Sequence, residues 1–205
     1  MVKFEDSENY KPTQRFETLV DGIFAIAMTL LVLGLAVPNI NGSLSNMVVQ
    51  NAFSTLLPSF FVLVLSFFLL FVFWNAHHRL FNQMEIIDTN LLWINAVWLL
   101  FIILVPFSAS ALGHYGGYIL PSVIFNLNML GIGILNDQNK RYAIRKNFIQ
   151  TVTSDIKIHL YVNNVFILLS LLAIILSFII TGWSTILYTL LLPMNFVFRR
   201  LNWGK

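Results

Sequence analysis

The ionisable residue with the most to explain in this sequence is Asp21. It lies in the run Arg15-Phe16-Glu17-Thr18-Leu19-Val20-Asp21-Gly22-Ile23-Phe24-Ala25-Ile26-Ala27-Met28-Thr29-Leu30-Leu31-Val32-Leu33, a turn or more inside an apolar stretch. A charge there is costly to take out of water and is a candidate for ion handling. The same acid also fits the start of a helix, where the dipole favours it and local donors cap it. Chemistry alone leaves these two readings level. A second group is Phe73-Trp74-Asn75-Ala76-His77-His78-Arg79-Leu80-Phe81, followed by Glu85 and Asp88. Adjacent histidines above acids suggest a metal site, but neighbours on a helix point about 100° apart. Neither His-x3-His nor cysteine ligand spacing is present. A polar network at a membrane boundary is the better reading, tying Arg79 or a histidine to Asp21 or Glu17.

The elements that must hold these groups follow from composition. The chain has 205 residues, 58% of them hydrophobic and only 10% charged, with a mean hydropathy of +0.78. A soluble domain of this length could not hide so much apolar surface, and soluble domains run nearer a quarter charged. Lipid is the alternative solvent, and roughly 20 apolar residues make one crossing. Six segments are expected to span, at 16–37, 52–74, 91–112, 118–135, 160–180 and 184–198. The sequence predicts one all-α, six-helix transmembrane domain over 1–205, with a tight turn at Gly182-Trp183. The polar residues 1–13 lack the pattern of a cleaved signal peptide, so the first span is expected to remain in the mature protein.

In this layout all 12 Lys and Arg fall on one side of the membrane. Lys3, Lys11 and Arg15 precede the first span, Arg79 follows the second, and Lys140, Arg141, Arg145, Lys146 and Lys157 join the fourth to the fifth. Arg199, Arg200 and Lys205 end the chain. The asymmetry predicts a multi-pass protein of the cell membrane with both termini in the cytoplasm. The basic residues face lipid headgroups, and nucleic acid is not an expected partner. With no cysteine, disulfides and thiolate chemistry are excluded. No Walker loop, GxSxG, HExxH or dinucleotide loop occurs, so the chain is not expected to be an enzyme or to carry a cofactor or metal. Spans two to six hold no deep acid, which weakens a proton-coupled transporter.

Within the first span Ile26, Leu30 and Leu33 share one helix face, with Thr29 beside them. Gly22, Ala25, Ala27, Gly34 and Ala36 let neighbouring helices approach. A ring of such branched side chains from several copies could gate by dewetting. By periodicity alone, ordinary packing is the better account of the stripe. Asn90, Asn95, Asn126, Asn128, Asn163, Asn164 and Asn195 are read as interhelical hydrogen-bond formers.

These residues resemble a known family. The run from Arg15 to Leu33 is similar to the signature of the lysosomal potassium channel family, transmembrane protein 175, and its prokaryotic homologues. That signature is an Arg, then Phe-Ser-Asp, then a Gly-Val-Phe-Ala-Ile-Ala-x-Thr-Leu-Leu-Val-like run. Here Leu19 and Val20 stand in place of its Phe and Ser, and Asp21 keeps its Asp. Phe73 to Phe81, Leu91-Leu92-Trp93-Ile94-Asn95 and Val105-Pro106-Phe107 extend the likeness through the first half of the chain. The resemblance implies a homotetrameric cation channel with potassium as permeant ion, weakly preferred over sodium. It implies a pore lined by the first helix of each subunit, a constriction at Ile26, Leu30 and Leu33, and a selectivity contribution from Thr29. It further implies a cytoplasmic network of Arg15, Asp21, His77 and Arg79 that positions the pore helix. The alternatives are a secondary transporter or proton-linked cation exchanger, and a membrane enzyme or assembly factor.

Overall fold

The computed structural model describes residues 10–40, 42–149, 154–181 and 184–190. These form α1 (Thr13–Leu30), α2 (Asn46–Ser54), α3 (Leu57–Phe81), α4 (Thr89–Tyr115), α5 (Ile119–Arg145) and α6 (Ser154–Ser177). Single 3-10 segments occupy Leu31–Gly34 and Ser184–Leu190, and two short strands, β1 (Tyr10–Pro12) and β2 (Ile86–Asp88), pair antiparallel. Five helical segments, all but α2, are long and apolar enough to cross a membrane. The expected sixth span begins in the segment Ser184–Leu190; residues 191–198 and the Gly182-Trp183 turn lie outside the described residues.

Local chemistry sets the boundaries, and it moves several of those expected. The second span starts at Leu57 rather than at 52, because Pro58 sits in the first turn, where its missing N–H costs nothing. The residues before it form the separate helix α2, whose first turn is capped by Ser45 accepting from the Val48 N–H at 3.3 Å. Asp88 caps α4 in the same way, accepting from the Leu91 N–H at 2.8 Å. Pro106 lies inside α4 without ending it, as neighbouring helices allow in a bundle. The fourth span runs ten residues past 135, to Arg145. Two inward side chains of its polar end find partners on other elements: Asn136 donates to Asn163 at 2.8 Å, and the Tyr142 hydroxyl donates to Asp88 at 2.6 Å.

The helices alternate in direction, and contacts at each end fix the layering. At one end β1 pairs with β2, Tyr142 meets Asp88, and the Arg79 guanidinium meets His159 at 3.3 Å. Lys11, Arg15, Arg79, Lys140, Arg141, Arg145 and Lys146 all belong to this basic end. At the opposite end the helices touch through small residues. A methyl at Gly34 would lie 3.1 Å from the Ser110 Cβ, and one at Gly113 would lie 2.9 Å from the Ser59 Cα. The main core lies between these ends and joins Val20, Phe24, Ala27 and Leu31 to Leu69, Leu70, Trp98, Ile102 and Phe125.

At Gly113 an added methyl would meet the backbone of α3, and a backbone atom cannot rotate aside as a side chain can. Gly113→Ala is therefore expected to lower stability by about 1–3 kcal/mol, despite its better helix propensity. Thermal unfolding in detergent measures this; a melting temperature equal to or above that of the parent contradicts it.

Candidate functional site

The first helix has two unlike faces. Val20, Phe24, Ala27 and Leu31, at i, i+4, i+7 and i+11, are all under 5% exposed and pack on α3 and α4. Phe24 meets the fully buried Trp98 with ring centroids 5.5 Å apart. That stripe fixes the rotation of α1 and turns the opposite face outward. Ile26 is 60% exposed, Leu30 41% and Leu33 74%, and Thr18, Gly22, Ala25 and Thr29 are exposed with them. The sequence-derived stripe therefore does not pack inside its own chain.

At Leu31 the helix tightens to 3-10 geometry and continues to Gly34. Three residues make one 3-10 turn, so Leu33 sits above Leu30 on the same side, about 6 Å further along. Ile26 lies about 6 Å below Leu30, turned by about 40°. The three side chains thus form successive layers on one exposed face. The Thr29 hydroxyl donates to the Ile26 carbonyl at 2.8 Å. Its proton is committed to its own helix, so only its lone pairs are offered outward, where they can accept from water or face a cation.

At the basic end the polar side chains are brought together in pairs, with partners that differ from those expected. Asp21 accepts from the Trp74 indole N–H at 2.8 Å, which joins α1 to α3. Trp74 in turn stacks on His78 at 5.8 Å. His77 points the other way, into the core, stacked between Phe81 at 4.1 Å and Trp98 at 5.0 Å. Its Nε2 lies 3.1 Å from the Asn95 Oδ1, while the Asn95 amide nitrogen donates to the Leu91 carbonyl. The oxygen can only accept, so His77 Nε2 carries a proton. Arg79 donates from Nε to Asn75 at 3.2 Å and meets His159 of α6. Arg15 is exposed in the second half of the first turn and stands apart from these pairs.

The expected tie from the first span to a histidine or Arg79 is thus made by Trp74, whose role the sequence reading missed. The available signal was its indole, an apolar body with one donor, placed four residues before His78. His159 and the buried Lys140 were also missed. Lys140 is 3% exposed and its Nζ lies 3.5 Å from the His159 carbonyl, inside the α5–α6 seam rather than in a loop. Its sequence neighbourhood of Asn, Gln, Lys and Arg gave no sign of burial. Among the described residues no group of three His, Asp or Glu side chains converges as a metal site would need.

Residues 15–106, which carry α1 to most of α4, match the sequence profile of the endosomal/lysosomal potassium channel TMEM175. A potassium channel of Streptomyces collinus is 33% identical over 101 residues, covering 49% of this chain and 48% of that one. A potassium channel of Chamaesiphon minutus is 34% identical over 103 residues, covering 50% of each chain. The match spans about half the length of these curated relatives. In three dimensions the likeness is longer. The crystal structure of a lysosomal potassium-selective channel TMEM175 homologue from Chamaesiphon minutus superposes with a TM-score of 0.77 at 25% identity, over 90% of this chain and 96% of that one. A threonine-to-alanine variant of the potassium channel MtTMEM175, solved with a nanobody–MBP fusion, superposes with a TM-score of 0.60 at 22% identity, over 93% of this chain and 94% of that one. This chain is thus similar in sequence to TMEM175 over the segment that holds the two-faced first helix, and it shares its fold with a TMEM175 homologue along nearly its whole length.

Proposed function

We propose that this chain is one subunit of a homotetrameric, potassium-preferring cation channel. Six helices per subunit surround a central pore lined by α1 of each copy. Its constriction is formed by Ile26, Leu30 and Leu33, and Thr29 contributes the polar layer between them. The observation that carries this reading is the composition of the outward face of α1. A face that meets lipid is bulky, as on α3, which exposes Phe60, Phe61, Phe67, Phe68 and Phe71, and on α4, which exposes Trp93, Ile103 and Phe107. The outward face of α1 instead carries Thr18, Gly22 and Ala25 below its three branched layers and Thr29 between the first two, with Leu19 as the one bulky residue among them. At Gly22 even an added methyl would meet nothing within 4 Å in its own chain. Small and hydroxylated residues suit close contact between copies and a water-facing lumen.

Four such faces around one axis leave a narrow apolar neck. Water leaves a neck of that kind readily, so it can gate by dewetting. It gives a permeating ion little to replace its hydration shell, so the ion that sheds water more cheaply passes more easily. Potassium is that ion relative to sodium. The Thr29 lone pairs and the negative, carbonyl-bearing end of α1 both favour cations over anions. Asp21–Trp74 and the buried His77 stack would hold the helix at its basic end, which the positive-inside rule puts in the cytoplasm of a cell-membrane protein. The alternative is a secondary transporter or proton-linked cation exchanger. The buried Lys140 is the observation that favours it, because an ionisable group inside a bundle is a functional candidate.

Potassium flux into liposomes containing purified protein, without any proton gradient or counter-ion, is the expected behaviour. Ile26→Ala or Leu33→Ala should raise the flux several-fold by widening the neck. No flux, or flux unmoved by both substitutions, contradicts the channel, and an absolute proton requirement supports the exchanger. Gly22→Leu should leave the folded chain intact by circular dichroism yet reduce tetramer yield or flux several-fold; unchanged assembly and flux would remove Gly22 from any contact between copies. Trp74→Phe keeps the ring but deletes the donor to Asp21. The carboxylate is reached by solvent, so the loss should be only about 1 kcal/mol, read as a small fall in melting temperature. A loss several times larger would mean that Asp21 depends on the indole far more than an exposed hydrogen bond allows.

A further inference from the structure

Helix α5 meets its surroundings through one narrow stripe. Beyond Leu120, which is 68% exposed, its exposed positions are Leu127, Ile134, Gln138, Arg141 and Arg145 alone. Their spacings of three, four and seven residues keep them all on one face of the helix. Along that face the chemistry changes once. Leu120, Leu127 and Ile134 are bulky and apolar, like the exposed face of α3, and the three positions after them are polar or basic. At about 1.5 Å per residue, Arg141 stands about 31 Å from Leu120. That distance is close to the thickness of a bilayer's hydrocarbon core. The first charge of the stripe therefore appears where the acyl chains end.

The neighbouring helices mark the same level. Both α4 and α6 pack on α5 and run antiparallel to it. Counting along α4 and α5 from the Asn128–Ser108 bond puts Trp93 level with the turn from Arg141 to Arg145. Counting along α5 and α6 from the Asn136–Asn163 bond puts Tyr161 level with Gln138. Trp93 is 69% exposed and Tyr161 57%. Exposed Trp and Tyr side chains favour the headgroup level of a membrane.

We propose that the basic end of α5 is a binding site for an anionic phospholipid, with Arg141 and Arg145 on its phosphate and Leu127 and Ile134 along an acyl chain. Charge selects the class of lipid. Asp137, the one acid of α5, pairs with Arg141. Arg145 stands one turn further on, exposed, and no carboxylate pairs with it among the described residues. A zwitterionic headgroup brings its own cation beside the phosphate and gains less from this pair of guanidinium groups. A headgroup of net negative charge gains from both, and each planar guanidinium fits two phosphate oxygens at once. The whole basic end attracts anionic lipid weakly; the site differs in being confined to two residues on one stripe. The inference rests on the chain crossing a membrane and is independent of the channel reading.

Full-length protein purified in detergent is offered an equimolar mixture of phosphatidylglycerol and phosphatidylcholine, and native mass spectrometry counts the lipids of each class that remain bound. The expected result is a several-fold preference for phosphatidylglycerol that falls to near unity in the double variant Arg141→Gln/Arg145→Gln. A charge-matched control, Lys11→Gln/Lys146→Gln, changes two other exposed cations of the basic end and should keep the preference. Equal binding of the two lipids by the parent overturns the proposal. An equal fall in both double variants means that the basic end attracts anionic lipid without a site, and also overturns it. A preference that survives Arg141→Gln/Arg145→Gln places the lipid elsewhere and overturns it as well.

Discussion

The rotation of α1 about its own axis is the constraint on which the rest depends. A helix in lipid closes its own backbone hydrogen bonds wherever it points, so its rotation is free until side chains fix it. Here Phe24 is the fixing residue, fully buried against Trp98, with Val20, Ala27 and Leu31 in line above and below it. Turning α1 by even half a face would expose this stripe and push Ile26 and Leu30 into α3 and α4. Four further attachments resist the same motion. The β1–β2 ladder and the Thr13 hydroxyl, which donates to the Met84 carbonyl at 3.2 Å, hold the basic end. Asp21–Trp74 holds the helix about two turns further on, and the close approach of Gly34 to Ser110 holds the far end.

Apolar side chains gain little by leaving lipid for one another, so the second half of the bundle is held differently. Hydrogen bonds between α5 and its neighbours set its register. The Asn126 amide donates to the Ala173 carbonyl, Ser177 and Ser184 and accepts from the Tyr188 hydroxyl at 3.0 Å. Asn128 reaches Ser108 on α4, and Asn136 and Asn163 bond each other, with Asn163 also reaching the Gly133 carbonyl. Each such bond contributes only about 0.6–2 kcal/mol, but each is lost if the helices slide by one turn. Glycines make the approach possible, since a methyl at Gly133 would lie 2.9 Å from the Phe166 ring.

Long apolar runs and one-sided charge made the spanning helices legible in the sequence, because both signals are summed over many residues. The layers Ile26, Leu30 and Leu33 were legible as a stripe, but periodicity could not say whether that stripe faced in or out. The answer lies in the complementary stripe of Val20, Phe24, Ala27 and Leu31, which holds the larger aromatic and meets Trp98. Shorter features escaped. β1 and β2 have three residues each, too few for an alternating pattern. Helix α2 merged with the second span because both are uncharged, although Pro58 marked the break. The end of α5 looked like a loop because its cations and amides are polar in sequence, and their burial depends on partners such as Asn163 and the His159 carbonyl on α6. Trp74 was hidden for a related reason: its donor matters only because Asp21 lies opposite it.

The account turns on which face of α1 meets the conduction path, and cysteine-specific block measures that face directly. In the cysteine-free background, single cysteines along α1 are exposed to a thiol-reactive cation during potassium flux. The account predicts block at Ile26→Cys, Thr29→Cys, Leu30→Cys and Leu33→Cys, and none at Val20→Cys, Phe24→Cys or Ala27→Cys. Block confined to the second set, or absent from both while flux persists, would contradict a pore lined by the outward face of the first helix.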